Sequence, residues 1–356
     1  MRIAQVCPYS LSSPGGVQGQ VTGLSRVLAG MGHHVEVVAP CDGPPPNAQV
    51  RPVGTSVRVP ANGSQAPVAL SPACALRTVA ALHDGDFDVV HLQEPLVPAP
   101  CLSALLASRR PLIGTFHRSG AGATYRMLGP LLGRLLDRLS LRVAVSPQAR
   151  TTARDHLGGE YRLAFNAVDI EPFSSAVPTP TEGPTIFFIG RHEPRKGLGI
   201  LLEAFATLPD DVRLWVASDG PQTQELRSRY GADGRIRWLG RVSDQERASR
   251  LRGADVVCAP SLRGESFGMV VLEAMAAGRP LVVSDLAGYR SVATDRKDAL
   301  MVPPGDAAAL AAALREVLGD PGLAQALGAR GRERAEGLSM RRLAELYLDL
   351  YDEARR

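Results

Sequence analysis

Short apolar runs alternate with stretches of helical periodicity over nearly the whole chain. Runs at 2–7, 35–39, 88–92, 111–116 and 142–145 read as strands. Between them apolar residues recur every three or four positions. Over 17–31, for example, Val21, Leu24, Val27, Leu28 and Met31 share one helical face. Such alternation predicts parallel βαβ units. Near 169–184 the periodicity stops, and Pro172, Pro178, Pro180 and Pro184 predict an interdomain linker. The pattern then restarts with runs at 185–189, 212–217, 235–239, 255–259 and 280–284. It ends on a helical stretch, 340–353, with Leu343, Leu346, Tyr347, Leu350 and Tyr351 at helical spacing. The predicted fold is α/β: two tandem Rossmann-like doubly wound domains, 1–169 and 170–338, facing a central cleft. Ligands of such sheets bind beyond the carboxyl ends of the strands.

Composition narrows the class. The 356 residues suit two domains, and 45% hydrophobic with 21% charged residues is a globular balance. A net charge of +4 is too thin for a nucleic-acid partner. No run reaches the roughly 18 uncharged apolar residues of a membrane span. The start, Met1-Arg2-Ile3-Ala4-Gln5-Val6, lacks the pattern of an export signal. Cys7, Cys41, Cys74, Cys101 and Cys258 are scattered and form no C-x-x-C pair, so they read as reduced thiols of a cytoplasmic protein with no metal site.

Four strand ends carry chemistry. After the first strand, Pro14-Gly15-Gly16 leads into a helix start, where two missing side chains let a ligand approach the backbone and the helix favours an anion. It is not the G-x-G-x-x-G dinucleotide fingerprint. His117 stands at the tip of the 111–116 strand, able to donate to a substrate hydroxyl. After the 185–189 strand, Arg191 and Lys196 are fixed cations suited to a diphosphate. The stretch from Ser261 to Gly278 places Glu265 in a loop at a helix mouth and Glu273 two turns inside the helix. Ser266, Phe267 and Gly268 lie between them. By contrast, Asp84, Asp86 and Asp88 have the D-x-D spacing of some metal-binding transferases but fall at the amino end of a strand, and read as a turn.

In this order, the four stretches resemble the retaining glycosyltransferases of family 4, which have the GT-B fold, and within them the bacterial phosphatidylinositol mannosyltransferases. The similarity is strong at 1–18, 85–95, 114–119 and 264–278. The resemblance implies transfer of a sugar from a nucleoside diphosphate sugar, foremost GDP-mannose, to a hydroxyl acceptor, phosphatidyl-myo-inositol or a related glycolipid, without a cofactor. Gly15 and Gly16 would border the donor diphosphate, and Arg191 and Lys196 would bind it. Glu265 would meet the transferred sugar and Glu273 the ribose, with Ser266, Phe267 and Gly268 alongside. His117 would touch the sugar or its leaving phosphate, and Tyr9, Gln18, Asn62 and Ser64 would lie toward the acceptor. His117, Arg191, Lys196 and Glu265 would be catalytic. The first domain would bind acceptor, the second nucleotide sugar, and a C-terminal helix at 339–356 would cross back onto the first.

The chain departs from that pattern in places. Ala217-Ser218-Asp219-Gly220 replaces a G-x-G turn, and Asn166-Ala167-Val168-Asp169 replaces N-G-V-D. Ala61 and Pro67 flank Asn62-Gly63-Ser64 where inositol-directed members have an aromatic residue and an arginine. The basic amphipathic segment those enzymes use at membranes shrinks, around 74–83, to Arg77. Elsewhere, eight arginines against Asp137 alone lie between Cys101 and Arg150. Among them Arg134, Arg138 and Arg142 are spaced four apart, with Leu128, Leu131, Leu132, Leu135 and Leu139 on other faces. They predict a basic face for reversible contact with an anionic inner membrane surface. Alternatives are another nucleoside diphosphate sugar with a soluble polyol acceptor, a sugar-nucleotide epimerase, a pyridoxal-dependent phosphorylase and, as a non-enzyme, a solute-binding protein.

Overall fold

A computed structural model of the chain describes residues 1–13, 15–61, 64–118 and 132–356. The chain forms two compact units, Met1–Asn166 with Met340–Arg356, and Ala167–Ser339.

The first unit runs β1 (Arg2–Val6), α1 (Gly16–Gly30), β2 (His34–Ala39), β3 (Val50–Pro52), β4 (Val57–Ala61), β5 (Ser64–Val68), α2 (Pro72–Asp84), β6 (Val89–Gln93), α3 (Pro100–Ala107), β7 (Leu112–Phe116), β8 (Leu141–Ala144), α4 (Pro147–Leu157) and β9 (Arg162–Leu163). Seven strands pair in the order β3-β2-β1-β6-β7-β8-β9, all parallel. The winding reverses between β1 and β6, which sets a switch point at their carboxyl ends. Serine hydroxyls and prolines start the helices: Ser71 and Pro72 at α2, Ser146 and Pro147 at α4.

Every residue of β6 and β7 is buried, as expected of strands covered on both faces. The polar members are therefore conspicuous. Gln5 pairs laterally with His91, and Gln93 with Thr115. Lateral partners project to the same side of a sheet, so these four share one face. The C-terminal helix, Met340–Arg355, brings the hydroxyls of Tyr347 and Tyr351 onto it. That helix also packs on α1, where a side chain at Gly23 would strike Met340.

The second unit runs α5 (Ile170–Ser174), β10 (Thr185–Ile189), α6 (Leu198–Phe205), β11 (Arg213–Ala217), α7 (Thr223–Tyr230), β12 (Ile236–Gly240), α8 (Asp244–Gly253), β13 (Val256–Ala259), α9 (Met269–Ala276), β14 (Leu281–Ser284), α10 (Ala287–Arg290), β15 (Leu300–Val302), α11 (Ala307–Gly319) and α12 (Pro321–Gly337). Its six parallel strands pair in the order β12-β11-β10-β13-β14-β15. The switch point lies between β10 and β13. The predicted α/β pattern thus holds in both halves.

Three expectations need correction. The proline-rich 169–184 stretch is not simply a linker. It contains α5, which packs against α8 and α9, with Phe173 buried and Thr179 bonded to the Ser249 carbonyl at 3.0 Å. The prolines break periodicity without preventing packing. The basic face of Arg134, Arg138 and Arg142 does not form either. A 3-10 turn, Leu136–Arg138, ends the helical segment, and Arg142 lies on β8. Arg138 donates to the carbonyls of Leu105 and Ser108, and Arg142 donates to Gly158 O and Asp137. Leu128 and Leu131 lie outside the described residues. Finally, β3, β9, β15 and the antiparallel β4–β5 hairpin went unpredicted, being too short or too polar to register as apolar runs.

Asp86 and Asp88 lie in the turn that leads from Asp84, the last residue of α2, into β6. Asp88 accepts from the Arg2 amide and Asp86 from Arg110, while Phe87 is fully buried between them. Asp86→Asn should therefore leave sugar transfer unchanged, whereas Phe87→Ala should destabilise the fold by about 3–5 kcal/mol. Urea unfolding and a transfer assay of the two variants check both.

Candidate active site

In the second unit, the loops after β10 and β13 meet across the switch point. The β10 loop makes a 3-10 turn, Pro194–Lys196, and then Gly197 at φ 71° starts α6. The left-handed backbone favours glycine, and so does space: a Cβ at Gly197 would lie 1.9 Å from the Pro260 carbonyl oxygen. The Leu262 amide donates to the Arg195 carbonyl at 2.7 Å and closes the two loops together.

This clasp gathers the charges. Lys196 Nζ donates to Glu265 Oε1 at 2.6 Å. Ser261 Oγ donates to the same oxygen at 3.0 Å, and Arg195 approaches it at 3.6 Å. Ser261 in turn meets the Tyr289 hydroxyl at 2.9 Å. Glu193 is the residue sequence reasoning passed over. Buried, it holds Arg191 through one carboxylate oxygen at 3.1 Å and Arg195 through the other at 2.8 Å. The charge string Arg191, Glu193, Arg195, Lys196 was visible, but only folding shows that the glutamate spaces the cations.

Beyond Glu265 the chain turns into α9. Gly268 caps it at φ 91° with no side-chain cap, and a side chain there would strike the Tyr289 ring. The helix consequently begins at Met269, so Glu273 lies about one turn inside it, not two. Glu273 is nearly buried, with Arg247 of α8 at 3.6 Å. Burial raises its carboxyl above the usual range, and the arginine opposes that rise. Phe267 is 2% exposed, so its ring belongs to the core and only its main chain could face a ligand. The altered turn after β11 puts Ser218 at φ 87°, a left-handed conformation where the family pattern has glycine. At Gly220 a Cβ would lie 2.7 Å from the His192 backbone.

In the first unit the β1 loop, the hairpin and α1 come together. Tyr9 pairs antiparallel with Val68 of β5, and the Ser10 amide donates to the Pro67 carbonyl at 2.9 Å. Gln18 reaches back to Ser10 O at 3.4 Å. A Cβ at Gly15 would collide with the Gln18 amide, whereas Gly16 is open. Ser64 pairs with Ala61 at the hairpin's end, and Asn62 lies outside the described residues.

His117 follows β7. Its amide donates to Glu94 Oε1 at 2.7 Å, and its ring Nε2 meets Gln93 Oε1 at 2.7 Å. Burial pushes its imidazole down to about 4, and that of His91, within the sheet, to about 3. His91 is held by Tyr351, Thr115 and Gln93, a structural role. Among the described residues, no group of His, Cys, Asp and Glu could hold a metal.

Two parallel-sheet units in tandem, the second with a cationic, glycine-bounded switch point, define a two-domain, doubly wound α/β architecture. The structure resembles sucrose-phosphate synthase from Thermosynechococcus elongatus, with a TM-score of 0.78 at 22% identity, covering 99% of this chain and 98% of that one. The fold is GT-B. Residues 14–172 match the family described as Glycosyltransferase Family 4, and residues 183–320 match Glycosyl transferases group 1. The phosphatidyl-myo-inositol mannosyltransferase of Mycobacterium leprae is 38% identical over 99% of this chain and 96% of its own. That of Mycolicibacterium smegmatis is 40% identical over 94% and 89%. The chain belongs to the family 4 glycosyltransferases.

Two outcomes test this geometry. Gly197→Ala should lower stability by about 2 kcal/mol or more, read from a urea midpoint at unchanged slope, because it adds both strain and a clash. An unfolded imidazole titrates near 6.5, so as pH falls the unfolded chain takes up protons before His91 can. Stability should therefore decline from about pH 6.5 toward about pH 3, with His91 contributing up to about 1.4 kcal/mol per pH unit. His91→Gln should flatten that part of the slope.

Proposed function

We propose that this glycosyltransferase moves mannose from GDP-mannose to phosphatidyl-myo-inositol, with retention at the anomeric carbon. The second unit holds the donor and the first unit the acceptor. The observation that carries the donor side is the cluster of Arg191, Arg195 and Lys196 around Glu193 and Glu265, beside the α9 start. The choice of mannose and of an inositol lipid rests on the names of the relatives at 38–40% identity.

In this reading Arg191 and Lys196 bind the diphosphate, Arg191 through its planar fork and Lys196 as a point charge. Glu265 is turned toward the sugar, and Lys196 shares its charge between that carboxylate and the phosphate. Ser266, Phe267 and Gly268 offer main chain at the helix mouth, and Glu273 reaches the ribose. Gly15 and Gly16 border the diphosphate, and His117 touches the sugar. Departure is same-faced: the bond to the leaving phosphate breaks while the acceptor hydroxyl bonds to the same face of the anomeric carbon. The leaving phosphate takes the acceptor proton, and the cations stabilise the charge it develops.

The acceptor contacts of this reading are Tyr9, Gln18, Asn62 and Ser64. Val57, Leu70 and Leu76, each about half or more exposed, support lipid contact within one stretch of the first unit. With Arg138 and Arg142 bonded within the fold, we place reversible contact with the inner membrane surface there and not on the arginine segment. No helix among the described residues is long and apolar enough to cross a membrane. Ala61 and Pro67 favour a second reading, a soluble polyol acceptor.

Lys196→Ala or Glu265→Ala should slow mannosyl transfer about 10²–10³-fold with the fold intact, and near wild-type turnover in both would refute these roles. Thermal shift against GDP, UDP and ADP should show the largest rise with GDP.

A further inference from the structure

A hydrogen-bond file runs from the C-terminal helix to His117 inside the first unit, and its donors and acceptors can be followed in one direction. The amide nitrogen of Gln93 lies 3.1 Å from His91 Nε2. An amide nitrogen only donates, so His91 Nε2 carries a lone pair. The Thr115 hydroxyl, 2.7 Å from the same nitrogen, donates to it as well. His91 then bears its hydrogen on Nδ1 and donates to the Tyr351 hydroxyl at 2.9 Å, while Tyr347 donates to Thr115 at 2.8 Å. Every member of this set lies on β6, β7 or the C-terminal helix, and His91, Thr115, Tyr347 and Tyr351 are buried.

With its nitrogen committed to His91, Gln93 turns its carbonyl oxygen to His117 Nε2 at 2.7 Å. Only a protonated ring nitrogen satisfies that oxygen. The main chain on both sides is fixed: Cys101 Sγ donates to Gln93 O at 3.0 Å, and the His117 amide is held by Glu94. Nδ1 of His117 has no hydrogen-bond partner among the described residues.

We propose that Gln93 is a positioning residue that fixes His117 as the Nε2–H tautomer. His117 consequently meets a substrate hydroxyl through the Nδ1 lone pair, as a hydrogen-bond acceptor. This reverses the donor role expected from the sequence. It deepens the reading of His117 as a sugar contact and rests on that reading for its catalytic meaning. The C-terminal tyrosines enter because they fix His91, and His91 decides which way the Gln93 amide points. The low basicity of both buried imidazoles keeps them neutral, so that tautomer and not charge is what the file transmits.

Histidine-¹⁵N spectra of the whole protein at pH 8 test the assignment without turnover. In the wild type, His117 should show a protonated Nε2 and an unprotonated Nδ1. Gln93→Leu should move the ring to a mixed or Nδ1–H form. Gln93→Glu, whose carboxylate accepts the same hydrogen, should restore the wild-type pattern. Gln93→Leu should also lower kcat at least tenfold with less than a twofold change in KM for the nucleotide sugar, and Gln93→Glu should recover most of it. An Nδ1–H His117 in the wild type, or an unmoved ring in Gln93→Leu, would overturn the proposal. The wild-type spectrum alone decides if Gln93→Leu does not fold. If the tautomer follows Gln93 but His117→Ala turns over normally, the positioning stands and the reading of His117 as a substrate contact fails.

Discussion

Parallel strands covered on both faces impose the governing constraint. Their interiors admit no unpaired polar group without a penalty of a few kcal/mol, so chemistry collects where the strands end. Both units obey it. In the second, β10 and β13 finish in loops that hold Arg191, Glu193, Arg195, Lys196 and Glu265, with Glu273 following on α9. In the first, the ends of β1, β6 and β7 deliver Tyr9, Glu94 and His117. Inside the first sheet, two tyrosines of the C-terminal helix complete the hydrogen bonds of His91 and Thr115, and Gln93 is held between His91 and His117. The buried Gln5 amide, by contrast, finds no partner among the described residues and bears that penalty.

The clasp of the second unit shows how carboxylates hold a cluster of cations in place. Lys196 and Glu265 neutralise one another at 2.6 Å, and Glu193 separates Arg191 from Arg195. Three cations could not otherwise gather on one short loop without repulsion. In the proposed reading, a diphosphate entering there would exchange one anionic partner for another, so the cations would need little rearrangement. The same logic explains the glycines. Gly197 and Gly268 adopt left-handed backbone where neighbouring atoms leave no room for a Cβ; at Gly197 this brings the β10 loop against the Pro260 main chain, and at Gly268 it seats the helix start on the Tyr289 ring.

Position, more than residue type, separates function from structure in this chain. His91 sits on β6, and His117 follows its neighbour β7. One is enclosed and serves the core, while the other, one residue past its strand, meets the edge. The aspartates at 84, 86 and 88 have a metal-binding spacing, but Asp86 and Asp88 fasten the amino end of β6 through Arg110 and the Arg2 amide, and Asp84 pairs with Arg51.

Apolar runs and their spacing determined the two α/β halves and nearly all the central strands, since a strand buried on both faces is mostly apolar. They also determined the strand-end positions of His117, Arg191, Lys196 and Glu265, because a strand end is a local event. Packing alone decided what periodicity cannot encode. It joined α5 to the second unit through Phe173, broke the arginine ladder at a 3-10 turn, and started α9 late at Gly268. It also made Glu193 a brace and set Gln93 between two histidines. Those outcomes depend on which distant groups come within hydrogen-bond reach, and that distance exists only once the chain has folded.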